Sequence, residues 1–266
     1  MSLSFEPINN DSVPIAKIYG KDKKIVYLND EGYNFNDNRK GIKDGIKKIV
    51  LYNDDSSIFP LVHENDDGQN DRIFICGKSG CGKTYNFIRP YIIDFYKKFK
   101  SKIWFFSSKP QDDAVDDLPI ERIEIDDRFV ENPPDVREFS NSNKHPNLVV
   151  FDDVQDYKKN TYNKAVQRLR DEILRNGRSM GIYIIYVWHK PADHKNTEQQ
   201  IFESTATVIF PKTSGHDDYD YLMKRYLGLS NAEQKNLLKK AKSKYVYVTK
   251  KSPAVAISDR YILLLK

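Results

Sequence analysis

Short apolar runs recur along residues 72–210, separated by longer polar stretches. The runs are Arg72–Cys76 (RIFIC), Lys102–Ser107 (KIWFFS), Leu148–Phe151 (LVVF), Ile182–Trp188 (IYIIYVW) and Thr207–Phe210 (TVIF). They are rich in β-branched and aromatic residues and are too short for buried helices, so the pattern predicts strands. Near-continuous apolar strands are typical of a parallel sheet that is covered on both faces.

Helical periodicity fills the intervals between several of these strands. A helix is expected to begin near Lys83, with Pro90 kinking or breaking its first turns. Its inner face is formed by Phe87, Ile88, Tyr91, Ile92, Phe95 and Phe99. A second helix is predicted over Thr161–Arg175, with Gly177 placed to cap its C-terminus. A third opens at the capping-box pair Ser230 and Glu233. Strands that alternate with helices predict an α/β fold with a mostly parallel sheet.

Further strand-like runs lie in the first 66 residues, near residue 122 and at the C-terminal end. They are Ile15–Tyr19, Lys24–Leu28, Lys47–Tyr52, Arg122–Ile125 as a short edge strand, Tyr245–Thr249 and Val255–Leu264. The polar stretch Glu64–Asp71 (ENDDGQND) is typical of a boundary. We therefore predict a small β-rich N-terminal segment over residues 1–66 and one α/β domain over residues 67–266.

Composition excludes several protein classes. The chain has 266 residues, of which 39% are hydrophobic and 30% charged, which is typical of a globular protein. No apolar run reaches the roughly 18 residues that span a bilayer, and the N-terminus lacks a secretory pattern. Cys76 and Cys81 are too few for a disulfide framework and predict a reducing interior, cytosol or nucleus. We interpret both as small residues that fit their positions; the alternative at Cys81 is a redox-sensitive thiol.

Positive charge is concentrated near the C-terminus, although the net charge is only +5. Nine cations accompany one acid, Glu233, and they are Lys224, Arg225, Lys235, Lys239, Lys240, Lys242, Lys244, Lys250 and Lys251. Such a stretch suits a polyanionic partner such as nucleic acid. A solvated, lysine-rich helix face is an equally good interpretation of the composition alone.

A glycine-rich loop, GKSGCGKT, follows the first strand and precedes the first helix. It comprises Gly77, Lys78, Ser79, Gly80, Cys81, Gly82, Lys83 and Thr84. Small residues let consecutive backbone amides converge on phosphate oxygens at a helix N-terminus. Lys83 adds a cation for the β- and γ-phosphates, and the Thr84 hydroxyl is a ligand for Mg²⁺. The strand–loop–helix context predicts a P-loop that binds a nucleoside triphosphate, most simply ATP.

Two aspartates supply the acidic partner that a P-loop requires. Asp152 and Asp153 follow the strand LVVF, and we expect that strand to neighbour the one that precedes the loop. Asp152 is the predicted Mg²⁺ partner, acting through water. Asp153 is the predicted carboxylate that polarises the attacking water, although many hydrolytic P-loop enzymes use a longer glutamate there. The pair predicts hydrolysis as well as binding.

Two further residues are candidates for roles in catalysis. His189 ends the fourth strand, where it could contact the γ-phosphate or the attacking water; the alternative is a loop histidine beside Pro191 without such a role. Arg178, in NGRSMG, could act as an arginine finger in the site of a neighbouring subunit. We interpret Arg168, Arg170 and Arg175 as a solvated helix face.

Three segments together resemble the genome-packaging ATPases of large double-stranded DNA viruses, the poxvirus-type branch of the FtsK/HerA superfamily. They are ICGKSGCGKT, NLVVFDDV and NGRSMGIYIIYVWHK, in the expected order within Ile75–Lys190. The chain departs from the family at His189, where glutamine is usual, and at Asp153, where FtsK-like relatives usually carry glutamate.

The resemblance implies a RecA-like P-loop core that works as a homo-oligomeric ring, with ATP and Mg²⁺ as cofactors. Double-stranded DNA would be the substrate, capsid proteins possible partners, and the host cytoplasm, virus factory or virion the location; no membrane partner is expected. The alternative is a nucleotide-dependent assembly or switch protein that hydrolyses ATP slowly without moving DNA. A small-molecule kinase is disfavoured because no arginine-rich lid is evident. A GTPase is disfavoured because no Asn-Lys-x-Asp segment is present.

Overall fold

The fold is known from a computed structural model that describes residues 1–20, 23–29, 47–52, 55–63, 70–154, 157, 159–189, 194–211, 216–239, 243–250 and 253–265. The strands among these residues are β1 Ser2–Ser4, β2 Val13–Tyr19, β3 Lys24–Asn29, β4 Lys48–Val50, β5 Ser57–Pro60, β6 Arg72–Cys76, β7 Ile103–Ser107, β8 Glu121–Ile123, β9 Asn147–Asp152, β10 Ile182–Trp188, β11 Ala206–Ile209, β12 Val246–Thr249, β13 Val255–Ser258 and β14 Tyr261–Leu264. The α-helices are α1 Arg89–Phe99, α2 Asp127–Glu131, α3 Asn160–Asn176, α4 His194–Glu203, α5 His216–Arg225 and α6 Asn231–Lys239. None of the helices in these ranges is long and apolar enough to cross a membrane.

The larger sheet has the strand order β4-β14-β13-β12-β11-β6-β10-β9-β7-β8. The strands from β11 to β8 run parallel, and β12, β13, β14 and β4 extend the sheet in antiparallel fashion. The α/β fold with a mostly parallel sheet is therefore confirmed. The predicted edge strand near Arg122 is β8, at the end of the sheet. The run Val255–Leu264 forms a hairpin, β13 and β14, rather than one strand.

Helices cover both faces of this sheet, and β10 shows how the sequence divides the core. Because side chains alternate along a strand, Tyr183, Ile185 and Val187 belong to one apolar cluster, and Ile184, Tyr186 and Trp188 belong to the other. The first cluster includes the inner face of α1, and the second includes that of α3. Every residue of β9 and β10 is buried. Both strands can therefore present functional groups only at their ends.

Three local expectations change in the structure. The strand β9 does not neighbour β6, because β10 lies between them. A π-helical turn, Thr84–Ile88, precedes α1, and Pro90 lies in the first turn of α1, where its missing N–H costs nothing. Gly177 is the C-cap residue of α3, as predicted, but it lacks the left-handed angles usual for a glycine cap; it leads into a 3₁₀ turn, which ends at Gly181 with φ +64°. A side chain at Gly181 would also collide with the Asn141 carbonyl.

The N-terminal residues contribute to both sheets. The strands β1, β3, β2 and β5 form a separate antiparallel sheet in that order, whereas β4 pairs with β14 at the edge of the larger sheet. The predicted boundary near residue 66 falls outside the described residues and stays a prediction. Just after it, the Asp71 carboxylate contacts His63 Nδ1 at 2.6 Å and accepts from Tyr91 at 2.7 Å. Burial would raise the pKa of Asp71, but the charge and hydrogen bonds of His63 lower it overall.

Candidate nucleotide-binding site

The glycine-rich loop lies between β6 and the π-helical turn, at the carboxyl ends of the parallel strands. Its first residue, Gly77, donates its amide to the Trp188 carbonyl at 3.2 Å, which ties the loop to the end of β10. Gly82 has φ +88°, and a side chain there would collide with the Asn86 amide group. Asn86 in turn donates to the Gly82 carbonyl at 3.0 Å. The loop conformation therefore depends on a residue without a Cβ at position 82.

Lys83 and Thr84 both point towards strand ends of the sheet. The Lys83 ammonium donates to the carbonyls of Gly77 at 2.8 Å and Lys78 at 3.0 Å. Lys83 is only 6% exposed. The Thr84 hydroxyl donates to Asp152 Oδ2 at 2.8 Å. The predicted loop cation and the predicted metal-binding hydroxyl thus lie where the loop meets the end of β9.

Asp152, the last residue of β9, is buried beside Thr84. Burial and the neighbouring charge of Asp153 raise the pKa of Asp152 to about 6, against the hydrogen bond from Thr84. A divalent cation would favour the ionised carboxylate, and a hydroxyl with a carboxylate is an oxygen donor set that suits Mg²⁺. Within the described residues, no group of three or more His, Cys, Asp or Glu side chains could hold a metal ion. Thr84 and Asp152 are therefore the two protein ligands that Mg²⁺ would use here, with water and phosphate as the others.

Asp153 has an unusual backbone conformation and two cationic or donor partners. Its φ is +55°, in the left-handed region that few residues other than glycine, asparagine and aspartate adopt. Its Oδ2 is 2.5 Å from Lys109 Nζ, and its Oδ1 is 3.0 Å from His189 Nε2. Hydrogen bonds from His189 and Lys109 hold the pKa of Asp153 well below its usual range, although partial burial opposes them. The pKa of Asp152 is therefore raised while that of the adjacent Asp153 is lowered.

His189 joins the loop lysine to Asp153. Its Nδ1 lies 3.4 Å from Lys83 Nζ while its Nε2 contacts Asp153. Lysine can only donate, so the Lys83 contact is with the lone pair of Nδ1, and Nε2 is placed to donate to the Asp153 carboxylate. The residue that was predicted either as a sensor or as a loop histidine thus lies within the site.

A cavity of about 200 Å³ brings these groups together. It is lined by Ser79, Gly80, Gly82, Lys83, Thr84, Tyr85, Lys109, Ala114, Asp152 and Asp153. Lys109 was not among the predicted site residues. It follows β7 by two positions, and the signal that could have revealed it is a lysine at the carboxyl end of a predicted parallel strand.

A second cavity of about 520 Å³ adjoins the first across Tyr85, which lines both. Its walls come from α1, from the small sheet near Ser57 and from the ends of β12 and β13. Tyr85 is 66% exposed, so its ring is accessible. The two cavities together offer a polar compartment for phosphates and a larger one beside an aromatic ring.

Arg178 lies at the opposite edge of the sheet from the loop. The Asn70 amide, just before β6, donates to the carbonyls of Gly177 at 3.3 Å and Arg178 at 3.4 Å. The five residues of β6 separate this point from the loop by about 16 Å, at roughly 3.3 Å per residue. Arg178 is exposed, and it is too far away to reach the cavity of its own chain.

The neighbouring arginines of α3 differ from one another. Arg168 and Arg175 are exposed, as predicted. Arg170, which was also predicted to be solvated, is buried at 3% exposure. Its guanidinium pairs with Asp171 at 2.9 Å and lies 5.7 Å from the centre of the Trp188 ring. The apolar stripe of α3 is therefore wider than its aliphatic residues indicate.

Among the described residues, the cations of the basic C-terminal stretch do not lie on one face. The strand β12 runs across the sheet, so Lys244 lies beside the second cavity, whereas Lys250 lies beside the amino end of β11. Lys224, Arg225 and Lys235 are exposed on α5 and α6. Lys240, Lys242 and Lys251 lie outside the described residues, as does Lys190 of the third motif.

Protein V3 of the Sputnik virophage is 32% identical to this chain over 257 residues, which cover 94% of this chain and 95% of V3. The chain belongs to the V3 family. No family model matches it. The similarity to V3 spans both the N-terminal residues and the α/β domain, so V3-family membership concerns the chain as a whole.

Solved structures of two other proteins resemble parts of this fold at low identity. The DNA-packaging ATPase B204 of Sulfolobus turreted icosahedral virus is 15% identical, with 70% of this chain and 96% of B204 covered and a TM-score of 0.47. The pCW3 conjugation coupling protein TcpA is 13% identical, with 96% and 76% covered and a TM-score of 0.45. Likenesses this distant do not define the chemistry of this V3-family chain.

Proposed function

We propose that this chain is a Mg²⁺-dependent ATPase that uses the cavity between the glycine-rich loop, the segment that follows β7 and the end of β9. The observation that carries the proposal is the convergence of Lys83, Thr84, Asp152 and Asp153 on that one cavity. Each has the functional group that triphosphate hydrolysis requires, and three different chain segments contribute to the lining. The adjoining cavity beside Tyr85 would hold the nucleoside.

The chemistry follows from the positions of these groups. Lys83 would bind the β- and γ-phosphate oxygens in place of the loop carbonyls that it contacts in the structure. Mg²⁺, held by Thr84 and Asp152, would neutralise charge that develops on those oxygens. Asp153 would orient a water molecule that attacks the γ-phosphorus. The bond to the β–γ bridging oxygen then breaks, which yields ADP and inorganic phosphate, while the water proton passes through Asp153 to the phosphate.

We further propose that hydrolysis drives translocation of double-stranded DNA by a homo-oligomeric ring, as in packaging of a viral genome into a capsid. The resemblance of the three motifs to poxvirus-type packaging ATPases supports this. So does Arg178, which is exposed at the edge opposite the loop, where only a neighbour's cavity could receive it. Head-to-tail contacts of this kind form a ring when the rotation between neighbours closes.

One observation favours the alternative, a switch or assembly protein that hydrolyses ATP slowly. Both carboxylate oxygens of Asp153 are engaged by Lys109 and His189. A carboxylate with a partner on each oxygen has fewer lone pairs left to orient water, and its negative charge is partly neutralised by Lys109. If Asp153 is seldom available to water, the chain would respond mainly to nucleotide binding and would hydrolyse ATP slowly.

Release of inorganic phosphate from ATP, with and without long duplex DNA, separates these proposals. We expect turnover that DNA stimulates and that collapses in Lys83→Ala, with Lys159→Met as the control on an exposed lysine that pairs with Asp127. Slow turnover that ignores DNA, together with no salt-sensitive DNA binding, would favour the switch. No nucleotide binding at all would refute both.

A further inference from the structure

The pairing of Lys109 with Asp153 gives this site a feature that hydrolysis alone does not require. Lys109 Nζ is 2.5 Å from the carboxylate that would orient the attacking water. The Lys109 side chain is 52% exposed, whereas that of Asp153 is only 13% exposed. A solvent-accessible cation is thus paired with a nearly buried carboxylate at the wall of the cavity.

The backbone of Lys109 is anchored while its ammonium is not enclosed. The Lys109 amide donates to the Ser107 hydroxyl at 3.2 Å, and its carbonyl accepts from Arg122 at 3.1 Å. Arg122 is itself paired with Asp116. The four-carbon stem can therefore swing from a fixed base, and its reach covers whatever lies against Asp153 in the cavity.

The other lysine of this cavity is held more firmly. Lys83 is buried and bonded to two loop carbonyls, and His189 lies against its ammonium. Of the two lysines among the described residues that line the cavity, Lys109 is the exposed one. It is the group that can change partner without rearrangement of the loop.

We infer that Lys109 is a latch that exchanges Asp153 for the terminal phosphate when a nucleoside triphosphate binds. The inference rests on the proposed function, since Asp153 can orient water only if it lies beside the γ-phosphate. A phosphate of higher charge competes with the carboxylate for the ammonium, and the exchange frees Oδ2 of Asp153 to accept from water. A diphosphate lacks the terminal phosphate that would reach Lys109, so Lys109 stays paired with Asp153.

The test compares the dissociation constants of ADP and of a non-hydrolysable triphosphate, the β,γ-imido analogue of ATP, both with Mg²⁺. Lys109→Met should weaken the triphosphate roughly tenfold or more, the loss expected for one charge-assisted hydrogen bond, and leave ADP unchanged. Lys109→Arg should retain most of the triphosphate affinity. Lys159→Met, which removes an exposed lysine from an ion pair with Asp127, should change neither affinity.

A double-mutant cycle tests the exchange itself. Asp153→Asn should tighten triphosphate binding when Lys109 is present, because the carboxylate no longer competes with the phosphate for the Lys109 ammonium. The gain should shrink in Lys109→Met, since only the general loss of repulsion remains. Equal effects of Lys109→Met on both nucleotides, or none, would overturn the latch while binding that depends on Lys83 still stands. If the wild-type chain binds neither nucleotide, the proposed function itself fails.

Discussion

At the scale of single residues, the backbone conformation of Asp153 favours a short carboxylate at this position. A left-handed φ of +55° is tolerated by aspartate and asparagine far better than by longer side chains. Aspartate also brings its carboxylate within reach of both Lys109 and His189. Aspartate is therefore consistent with both the local backbone and the two contacts of its carboxylate.

Replacement of Asp153 by asparagine isolates its chemical role. Because asparagine also adopts left-handed angles, Asp153→Asn should fold normally and bind ATP. It should lower the turnover number by roughly a hundredfold or more, the usual contribution of a general base. Thermal unfolding, ATP binding and phosphate release measured on one preparation check this. Normal turnover would show that another group orients the water.

Tyr85 provides a residue-scale test of where the nucleoside binds. If its exposed ring stacks on the base, Tyr85→Ala should weaken ATP binding roughly tenfold, since stacking on an aromatic side chain contributes about 1–3 kcal/mol. Inorganic tripolyphosphate has no base and should bind Tyr85→Ala and wild type equally; Tyr85→Phe should preserve ATP affinity. Calorimetric titration of both ligands measures the difference. Equal losses for the two ligands would contradict a base contact.

At the scale of elements, the strand β12 separates two lysines of the basic C-terminal stretch. Lys244 lies before the strand, at the end of the sheet near the second cavity, and Lys250 lies after it, at the opposite end. Lys250 consequently lies near Arg72, whose partner Glu203 is an acid on α4. Burial, followed by the charge of Arg72, lowers the pKa of Lys250 to about 8. The unfolded chain therefore retains a proton between about pH 8 and 10.5 that the folded chain has released.

The sign of the resulting pH dependence follows from proton linkage. Because the unfolded state binds more protons in that window, the contribution of Lys250 to the free energy of unfolding rises with pH. Below pH 8 the charged lysine destabilises the fold by on the order of 3 kcal/mol. Lys250→Met should therefore raise the unfolding free energy at pH 7 and lose most of this advantage by pH 10. Urea denaturation at both pH values, with Lys235→Met on an exposed lysine as control, tests this. A variant that is less stable than wild type at pH 7 would contradict it.

At the scale of the whole molecule, the carboxyl and amino ends of the parallel strands carry different groups. The carboxyl edge carries the loop, Asp152, Asp153 and Lys109, and the amino edge carries Arg72, Lys250 and the exposed Arg178. The β6 strand separates Arg178 from the loop of its own chain. A catalytic role for Arg178 therefore requires a second subunit.

Mixing experiments show whether Arg178 acts between subunits. Arg178→Ala and Lys83→Ala should each be inactive alone, with a loss of roughly a thousandfold for an arginine finger. A mixture should recover activity. At some interfaces the Arg178→Ala subunit contributes an intact loop with Lys83, and its Lys83→Ala neighbour contributes Arg178 to the same site. Arg175→Ala, an exposed arginine of α3, is the control. No recovery in verified mixed oligomers would leave Arg178 without a role in trans.

The sequence by itself determined the features that adjacent residues encode. The loop from Gly77 to Thr84, the buried strands and the aspartate pair are recognisable because composition and spacing within a few residues specify them. The same local signals predicted α3, the capping box at Ser230 and the α/β class. They also placed the C-cap of α3 at Gly177, whereas the left-handed glycine that follows it, Gly181, lies where the chain packs against the Asn141 carbonyl.

Only the tertiary structure decided which distant residues meet. The position of β10 between β6 and β9 depends on hydrogen bonds between strands far apart in the chain, and no local pattern encodes that order. That order brings the ends of β7, β9 and β10 together, so Lys109, Asp153 and His189 meet although 80 residues separate the first from the last. It also places Lys244 and Lys250 at opposite edges and turns Arg178 away from its own loop. A sequence supplies the groups of such a site, but the pairing of strands determines their partners.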